Sequence, residues 1–294
     1  MYYNDNLGII NDYYQNIVAI LKNILNNNPE LQVNVLFCDN YNFNNNNKTL
    51  VFNINYEHTL VKIYGRSVPH ETPFGNIKDD ENNTYFVRIK DYDLLHSADL
   101  IIDYSNPNIH NVKSCPQYES FSNKHIYISA SMYQPYFEKE NRDILTLTTF
   151  ISIEEPRRAE LIKNLARETI QHKNIHNCFQ ENEMQHILQK TKILINIHQT
   201  PHHHTFEELR VLPALRSGVI VISETSPLIE TIPYGDMIIW ASYDNIVEKT
   251  KEVIHKYDFF YDTIFSKENI DRLCSLKKTN YDTLRNSIVE KLAL

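Results

Sequence analysis

One stretch of the sequence, HHTFEELRVLPALRSGVIVISE at residues 203–224, decides the fold. Thr205 is followed three residues later by Glu208, which is the spacing of a capping box and predicts a helix that begins at Phe206. Apolar residues then recur near the helical period, so one face of this helix is expected to be buried. Gly218 is the residue type that most often ends a helix. The stretch therefore predicts a capped helix with a defined start and end.

Two apolar runs flank this helix, at residues 193–198 and 219–222. Both are short and rich in β-branched residues, as are the fully buried strands of parallel sheets. A strand–loop–helix–strand unit places the N-terminus of the helix, with its free N–H groups and partial positive charge, at the carboxyl edge of the sheet. Open α/β folds bind their ligands at that edge. We therefore expect a ligand site at the start of this helix.

The same residues resemble the donor-binding motif of group-one-like glycosyltransferases with the GT-B fold. Relatives carry an arginine and a helix of small residues before a Gly-Val-x-Val-Ile-Ser pattern, which is similar to Gly218 through Ser223 here. The chain fits best a divergent branch with Glu-x-x-Arg before the helix core, matched by Glu207 and Arg210. That branch has Ser-Glu after the strand, matched by Ser223 and Glu224.

The chain departs from the commonest family pattern at two acidic positions, which relatives place on this helix with seven residues between them. Alignment on Gly218 puts Thr205 at the first position and Pro213 at the second. In relatives the second acid usually holds the ribose of the nucleotide, so that contact does not carry over to this chain. Proline also removes a backbone N–H, and a kink is expected at Pro213.

The resemblance implies an α/β fold with two Rossmann-like domains that face each other across a cleft. It is specific over residues 144–255 and thin over the N-terminal half, where alternating strand and helix patterns also predict a parallel sheet. The predicted division is an acceptor-side domain at 1–138 and a nucleotide-sugar-binding domain at 139–258. C-terminal helices at 259–294 are expected to pack back toward the first domain. Residues 134–142 are the predicted linker.

Local patterns assign further elements. Residues 85–89 are predicted as a strand of the first parallel sheet, and residues 64–83, with their glycines and prolines, as a long surface loop. A short strand is predicted at 175–179 in the second half.

Composition limits the class of protein. The chain has 294 residues, of which 42% are apolar and 22% charged, as in globular proteins. Its net charge of −8 argues against a nucleic-acid partner, which normally meets a basic face. We find no signal-peptide pattern and no apolar run near the roughly 18 residues of a membrane span. The four cysteines are far apart, which predicts reduced thiols in a cytoplasmic protein rather than a disulfide framework or structural zinc.

Three arginines are donor-binding candidates. Arg157 and Arg158 open a predicted helix where relatives place a basic residue to hold the donor diphosphate, and guanidinium groups match phosphate oxygens bidentately. Arg158 is preferred of the two. Arg210 lies one turn into the motif helix and is expected to meet the diphosphate or the acids that hold the donor. The structural alternatives are a solvated first turn for the pair, and an ion pair with Glu207 or Glu208 for Arg210.

The remaining donor-side candidates lie at the same edge of the sheet: His198, His204, Thr205 and Glu224. A loop histidine there is expected to hydrogen-bond a phosphate or a sugar hydroxyl. The run His202-His203-His204 does not predict a metal site, because consecutive residues rarely converge on one ion and no acid or cysteine lies at ligand spacing. The Asp-x-Asp at residues 91–93 is interpreted as the N-cap of a helix. We expect no metal and no cofactor beyond the nucleotide-sugar.

Glu207 and His58 are the catalytic candidates. Glu207 lies at the start of the motif helix, where it is expected to contact the donor sugar or the ribose. Glu57 and His58 directly follow a buried strand of the first half. A titratable pair at that position suits a base for the acceptor hydroxyl, His58, beside an acceptor-side contact, Glu57. An ordinary loop is the alternative.

These observations predict a metal-independent glycosyltransferase of the hexosyltransferase type. It would move a sugar from a nucleotide-sugar to a hydroxyl of a glycan or glycoconjugate. A non-catalytic GT-B-like module that binds a nucleotide-sugar, a glycan or a partner protein, and an epimerase of the same fold, stay open as alternatives. The sequence leaves open the sugar, the base, the acceptor, the stereochemical outcome and the oligomeric state.

Overall fold

The computed structural model describes residues 2–3, 10–26, 32–36, 49–54, 59–62, 75–79, 81–89, 92–150, 152–176 and 183–292. In these ranges the chain forms two five-stranded parallel sheets and one three-stranded antiparallel sheet. The mixed α/β class predicted from the sequence is confirmed, with a parallel sheet in each half.

The described strands are β1 Tyr2–Tyr3, β2 Gln32–Leu36, β3 Thr49–Ile54, β4 Thr59–Lys62, β5 Gly75–Lys78, β6 Thr84–Arg88, β7 Leu100–Asp103, β8 His125–Tyr127, β9 Ile144–Thr148, β10 His172–Asn174, β11 Thr191–Asn196, β12 Ile220–Glu224 and β13 Ile239–Ala241. The described helices are α1 Asn11–Leu25, α2 Tyr92–Ser97, α3 Asn106–Lys113, α4 Glu119–Ser122, α5 Pro156–Arg167, α6 Glu183–Gln189, α7 Glu208–Arg216, α8 Ile246–His255, α9 Tyr257–Ile264 and α10 Lys267–Leu292.

The C-terminal parallel sheet has the strand order β10-β9-β11-β12-β13. Counted along the chain this is 2-1-3-4-5, a doubly wound order whose direction reverses between its first and third strands. The reversal lies between β9 and β11, which end at Thr148 and Asn196. Strands β11 and β12 are almost wholly buried, as predicted for strands covered on both faces. The carboxyl ends of β9 and β11 are therefore the position where folds of this order bind ligands.

The N-terminal parallel sheet has the order β1-β2-β3-β7-β8. Its strands follow one another in chain order, so the described part of this sheet has no reversal of winding. Helix α1 packs on it with a buried aromatic face. The Tyr13 hydroxyl donates to the Ile128 carbonyl at 2.6 Å, and the Tyr14 hydroxyl to the Val35 carbonyl at 2.7 Å.

The small antiparallel sheet, of order β4-β6-β5, links the two halves. Strand β4 pairs with the chain just before α7: the Lys62 N–H donates to the His202 carbonyl at 2.9 Å, and the His204 N–H to the Leu60 carbonyl at 2.8 Å. The Leu60 N–H donates to the Thr205 hydroxyl oxygen at 2.7 Å. The loop that leads into α7 is therefore fixed as an added strand beside the expected site.

Three element predictions differ from the structure. Residues 85–89 were predicted correctly as a strand, β6, but this strand belongs to the antiparallel sheet, because an alternating pattern does not reveal which partner a strand will have. Residues 64–83 include β5 and are not one long loop. The strand expected at 175–179 lies earlier, as β10, while residues 177–180 are outside the described ranges.

The start of the motif helix also differs from the prediction. Helix α7 begins at Glu208, and no capping box forms. The Thr205 hydroxyl is engaged by Leu60, and the Glu208 carboxyl is fully buried away from the helix start. The predicted end is confirmed: Gly218 has a φ of 66°, and the Val219 N–H donates to the Ala214 carbonyl at 3.0 Å.

The long C-terminal helix α10 lies against α1 and β8. Asn280 of α10 is buried and donates to the Ser129 carbonyl at 2.9 Å and the Ser131 hydroxyl at 2.8 Å. Arg216 at the end of α7 is fully buried and donates to the Tyr133 carbonyl at 3.0 Å and to the Leu273 carbonyl of α10. No helix in the described ranges has the length and apolar character needed to cross a bilayer.

Candidate functional site

The candidate site lies at the reversal point of the C-terminal sheet. Residues 149–158 leave β9 and enter α5, and residues 197–210 leave β11 and enter α7. Both helix starts therefore reach the same edge of the sheet, where their free N–H groups favour an anion. Most predicted site residues fall in these two connections.

Arg157 and Glu224, both predicted to bind the donor, are paired with each other. Arg157 Nη1 lies 2.7 Å from Glu224 Oε2, and Arg157 Nη2 contacts Glu224 Oε1. The guanidinium also lies 3.9 Å from the ring centre of Tyr243, whose hydroxyl donates to the Arg157 carbonyl at 2.7 Å. Glu224 Oε2 accepts from the His198 N–H at 2.9 Å. These contacts join the ends of β11 and β12 to α5, which is a structural role.

Arg158, the next residue, has a different environment. It is only 6% exposed, and its guanidinium carbon lies 4.6 Å from the ring centre of Phe150. Nη1 is 3.3 Å from the Ser152 carbonyl, while Nε is buried and meets no hydrogen-bond acceptor in the described part of the chain. Burial, followed by the charge of Arg210, lowers the pKa of Arg158 to about 10, so it is charged at neutral pH.

The wall beside Arg158 is held by a polar side chain that the sequence did not single out. Asn174, at the end of β10, accepts from the Phe150 N–H at 3.0 Å and donates to the Phe150 carbonyl at 3.1 Å. Both backbone groups of Phe150 are thus fixed, and its ring is the surface on which Arg158 lies. A polar residue in a short strand was the available signal, but its partner is 24 residues away.

Arg210 approaches the same place from α7. Nη1 lies 3.3 Å from Asn196 Oδ1, at the end of β11. The predicted structural alternative, an ion pair with Glu207 or Glu208, is absent from the ion pairs of the described residues. Arg210 thus reaches the end of β11, and Arg158 lies on Phe150 just after the neighbouring strand β9, near enough for the charge of Arg210 to lower the pKa of Arg158. Neither has a close carboxylate partner among the described residues.

Glu207 precedes α7 and is half-buried. Its charge raises the pKa of Arg158, against the larger effects of burial and of Arg210, so Glu207 lies near Arg158. Glu207 makes no side-chain capping bond to α7.

The histidine candidates lie on the far side of the β11 end. His198 and His204 stack with ring centres 5.8 Å apart, and His198 Nε2 is 2.9 Å from the Thr225 carbonyl. His204 also meets Tyr85 edge to face at 5.3 Å. Burial, followed by the charges of His198 and Lys62, lowers the pKa of His204 to about 4, so it is neutral at pH 7. These contacts, with Thr205 on Leu60, tie the small sheet to the second half.

Glu208, which was predicted to complete a capping box, is instead buried against tyrosine hydroxyls. Glu208 is fully buried and accepts hydrogen bonds from the hydroxyls of Tyr234 and, at 3.4 Å, Tyr127. Burial, with a further contribution from the nearby charge of Asp103, raises the pKa of Glu208 to about 8. Tyr127 and Asp103 end β8 and β7, so this carboxyl joins α7 to the carboxyl edge of the first sheet.

The remaining predictions are not tested by the structure. Glu57 and His58 lie outside the described residues, immediately before β4. In the described ranges, no group of three or more histidine, cysteine, aspartate or glutamate side chains is arranged to hold a metal ion. Asp91 also lies outside these ranges.

Comparisons with known proteins give weak similarities. No family model matches the chain. The uncharacterized protein R358 of Acanthamoeba polyphaga mimivirus is 28% identical over 193 residues, which are 64% of this chain and 65% of that protein. The structure of accessory secretory protein 1, 2 and 3 in Streptococcus pneumoniae has a TM-score of 0.49 at 10% identity, over 95% of this chain and 58% of that chain. A glycosyltransferase from Rickettsia africae ESF-5 has a TM-score of 0.38 at 10% identity, over 100% and 82%. The chain thus spans less than two thirds of R358 and of the streptococcal chain.

Proposed function

We propose that this chain is a glycosyltransferase of the GT-B type, and that Arg158 and Arg210 hold the diphosphate of its nucleotide-sugar donor. The observation that carries the proposal is that Arg158 and Arg210 reach the carboxyl ends of the neighbouring strands β9 and β11, at the reversal point of the sheet. Two like charges in a partly buried place repel each other, and an anion bound between them would be attracted to both and would offset that repulsion. The buried Nε of Arg158 is a donor still to be satisfied.

The chemistry follows from this placement. When the sugar leaves the donor, negative charge develops on the diphosphate, and fixed positive groups beside it lower the barrier. Arg158, Arg210 and the N-terminus of α7 supply that charge without a metal, so we propose a metal-independent reaction. Arg158 is the better held of the two, because Phe150 and Ser152 fix its plane.

Glu207 is proposed to contact the donor sugar. It directly precedes α7, and its charge acts on Arg158. The first half would present a glycan or glycoconjugate acceptor, with Glu57 and His58 on that side as the candidates for contact and for removal of the hydroxyl proton.

A non-catalytic nucleotide-sugar-binding module is the second candidate. It is favoured by Pro213, which stands where relatives usually carry the acid that holds the ribose, and by the engagement of Glu224 with Arg157. Both candidates require the same diphosphate site. They differ in whether the bound sugar is transferred.

Calorimetry with UDP-, GDP- and ADP-sugars, followed by assays for release of the free sugar, tests the proposal. A glycosyltransferase is expected to bind one nucleotide class and to hydrolyse its donor slowly when no acceptor is present. Binding without any turnover would favour the non-catalytic module. A chain that binds none of these compounds would contradict both.

A further inference from the structure

A small cavity lies directly beside the proposed diphosphate site, between the two halves of the chain. Its volume is about 30 Å³, which is room for about two groups the size of a water molecule or a methyl. Arg210 lines it, so the cavity and the arginine pair share a side chain. A group bonded close to a diphosphate on Arg210 would therefore lie within reach of the cavity.

The walls of the cavity are largely apolar. Met184 and Leu188 come from α6, Leu194 from β11 and Leu209 from α7. Such walls favour a methyl group over a water or a hydroxyl, because a polar group on them gives up hydrogen bonds to water. A cavity of this size and lining suits one methyl with one polar atom attached nearby.

Polar residues also line the cavity, and the hydroxyl of one of them has no partner among the described residues. Thr149 follows β9, is only 3% exposed, and its hydroxyl meets no hydrogen-bond partner in the described part of the chain. Arg210 adds a guanidinium. Asp12 of α1 also lines the cavity, and its carboxylate accepts from the Tyr133 hydroxyl at 2.8 Å. A buried hydroxyl without a partner is costly, and a ligand that completes it would recover that cost.

We propose that this cavity receives the methyl and the carbonyl of the donor sugar's acetamido group, so that the donor is a nucleotide-linked N-acetylhexosamine. The acetyl methyl packs on the apolar walls, and the amide meets Thr149 and Arg210, which supply a hydroxyl and a charged donor. A plain hexose would place only a hydroxyl in this position and leave the apolar walls unfilled. The inference rests on the diphosphate site proposed above.

The test uses sugar 1-phosphates, because they carry the phosphate and the sugar without requiring the correct base. N-acetylglucosamine 1-phosphate is compared with glucose 1-phosphate, and N-acetylgalactosamine 1-phosphate with galactose 1-phosphate, by calorimetry on the full chain with both anomers. One methyl-sized group in an apolar pocket is worth roughly 10- to 200-fold. We expect at least one acetamido compound to bind about tenfold or more tightly than its partner.

Two variants place the effect in this cavity. Thr149→Val keeps the shape and removes the hydroxyl, and Leu209→Phe fills the space from α7. Both are expected to bring the ratio of the two affinities toward one. A thermal melt of each variant confirms that it is folded before the ratio is measured, and the ratio itself is insensitive to a loss of active protein.

Inorganic pyrophosphate separates failure of this inference from failure of the proposed function. If pyrophosphate binds, but the two sugar phosphates of each pair bind with equal affinity, the acetamido site is wrong and the diphosphate site stands. If both variants still bind the acetamido compound more tightly than its partner, the acetamido site is also wrong, because the acetamido group would then bind elsewhere. If neither pyrophosphate nor any sugar phosphate binds, both proposals are wrong.

Discussion

Arg157 and Glu224, 67 residues apart in the sequence, form a two-point ion pair across the end of the C-terminal sheet. The pair satisfies both terminal nitrogens of Arg157, whereas the neighbouring Arg158 has no carboxylate partner among the described residues and lies within the influence of the Arg210 charge. Two consecutive arginines at one helix start therefore have opposite roles. The first is part of the framework, and the second is proposed to bind the donor.

The first prediction separates these roles. Arg157→Ala leaves Glu224 without its partner at a site where both side chains are close to buried, 13% and 11% exposed. Removing one member of a buried pair typically costs about 3–5 kcal/mol, so a large fall in the free energy of urea unfolding is expected. Arg158→Gln is expected to weaken pyrophosphate binding much more than it lowers stability.

A double variant serves as the control. Arg157→Gln with Glu224→Gln leaves no unpaired charge and should recover much of the stability that Arg157→Ala loses. If Arg157→Ala unfolds like the parent but fails to bind pyrophosphate, the roles assigned to the two arginines are reversed.

The second prediction concerns the buried carboxyl of Glu208. Because its pKa in the folded chain is raised from 4.5 to about 8, the folded protein holds a proton that the unfolded chain releases between these values. The free energy of unfolding should therefore fall as the pH rises through this window, by about 1.4 kcal/mol per pH unit from this group, and level off above it. Glu208→Gln, which stays neutral, should remove that part of the slope.

Urea unfolding at several pH values between 5 and 9 measures the effect as the difference between variant and parent. Glu230→Gln is the matched control, because Glu230 is exposed and its substitution should leave the slope as it is. A parent and a Glu208→Gln variant with parallel pH profiles would show that this carboxyl is already ionised in the folded state.

The third prediction concerns the end of α7. Gly218 has a φ of 66°, and a side chain there would place its Cβ 2.7 Å from Arg142 Nη2 and 2.8 Å from the Tyr136 carbonyl oxygen. The left-handed conformation alone costs a non-glycine residue roughly 1–2 kcal/mol. Gly218→Ala is therefore expected to lower the free energy of unfolding by on the order of 2 kcal/mol or more. A variant with the stability of the parent would show that the turn relaxes without cost.

The fourth prediction concerns metals. If arginines neutralise the diphosphate, nucleotide-sugar affinity measured by calorimetry should be the same with and without EDTA. Affinity that disappears on chelation and returns with manganese would contradict this prediction and would favour a metal site at residues 91–93.

The parts of the fold that the sequence predicted are those set by local pattern. The predictions of β11, of β12 and of the helix end at Gly218 are confirmed, because the burial of a strand and the conformation of a glycine depend on residues that are consecutive in the sequence. The predicted start of α7 was wrong because Thr205 accepts a hydrogen bond from Leu60, and Glu208 accepts hydrogen bonds from Tyr127 and Tyr234. No local sequence pattern reveals these distant partners.

The candidate site shows the same division. Its position was predictable, since both connections follow strands of a parallel sheet. The pairing of Arg157 with Glu224, and the support of Phe150 by Asn174, depend on which strands become neighbours. Sequence alone therefore indicated which residues lie at this edge of the sheet and could not show which of them pair with one another.

The most direct test of the central claim, that Arg158 and Arg210 form a diphosphate site, measures pyrophosphate binding and thermal stability together for Arg210→Ala and Arg210→Lys. Removing Arg210 takes away a like charge from beside Arg158, so Arg210→Ala should melt at the same or a higher temperature than the parent. It should bind pyrophosphate roughly tenfold to hundredfold more weakly, which corresponds to a lost charge-assisted contact of about 1.5–3 kcal/mol. Lysine should restore little, because a point charge does not replace a planar fork. An Arg210→Ala variant that binds pyrophosphate like the parent, or that loses binding only because it melts earlier, would show that Arg158 and Arg210 do not form a diphosphate site.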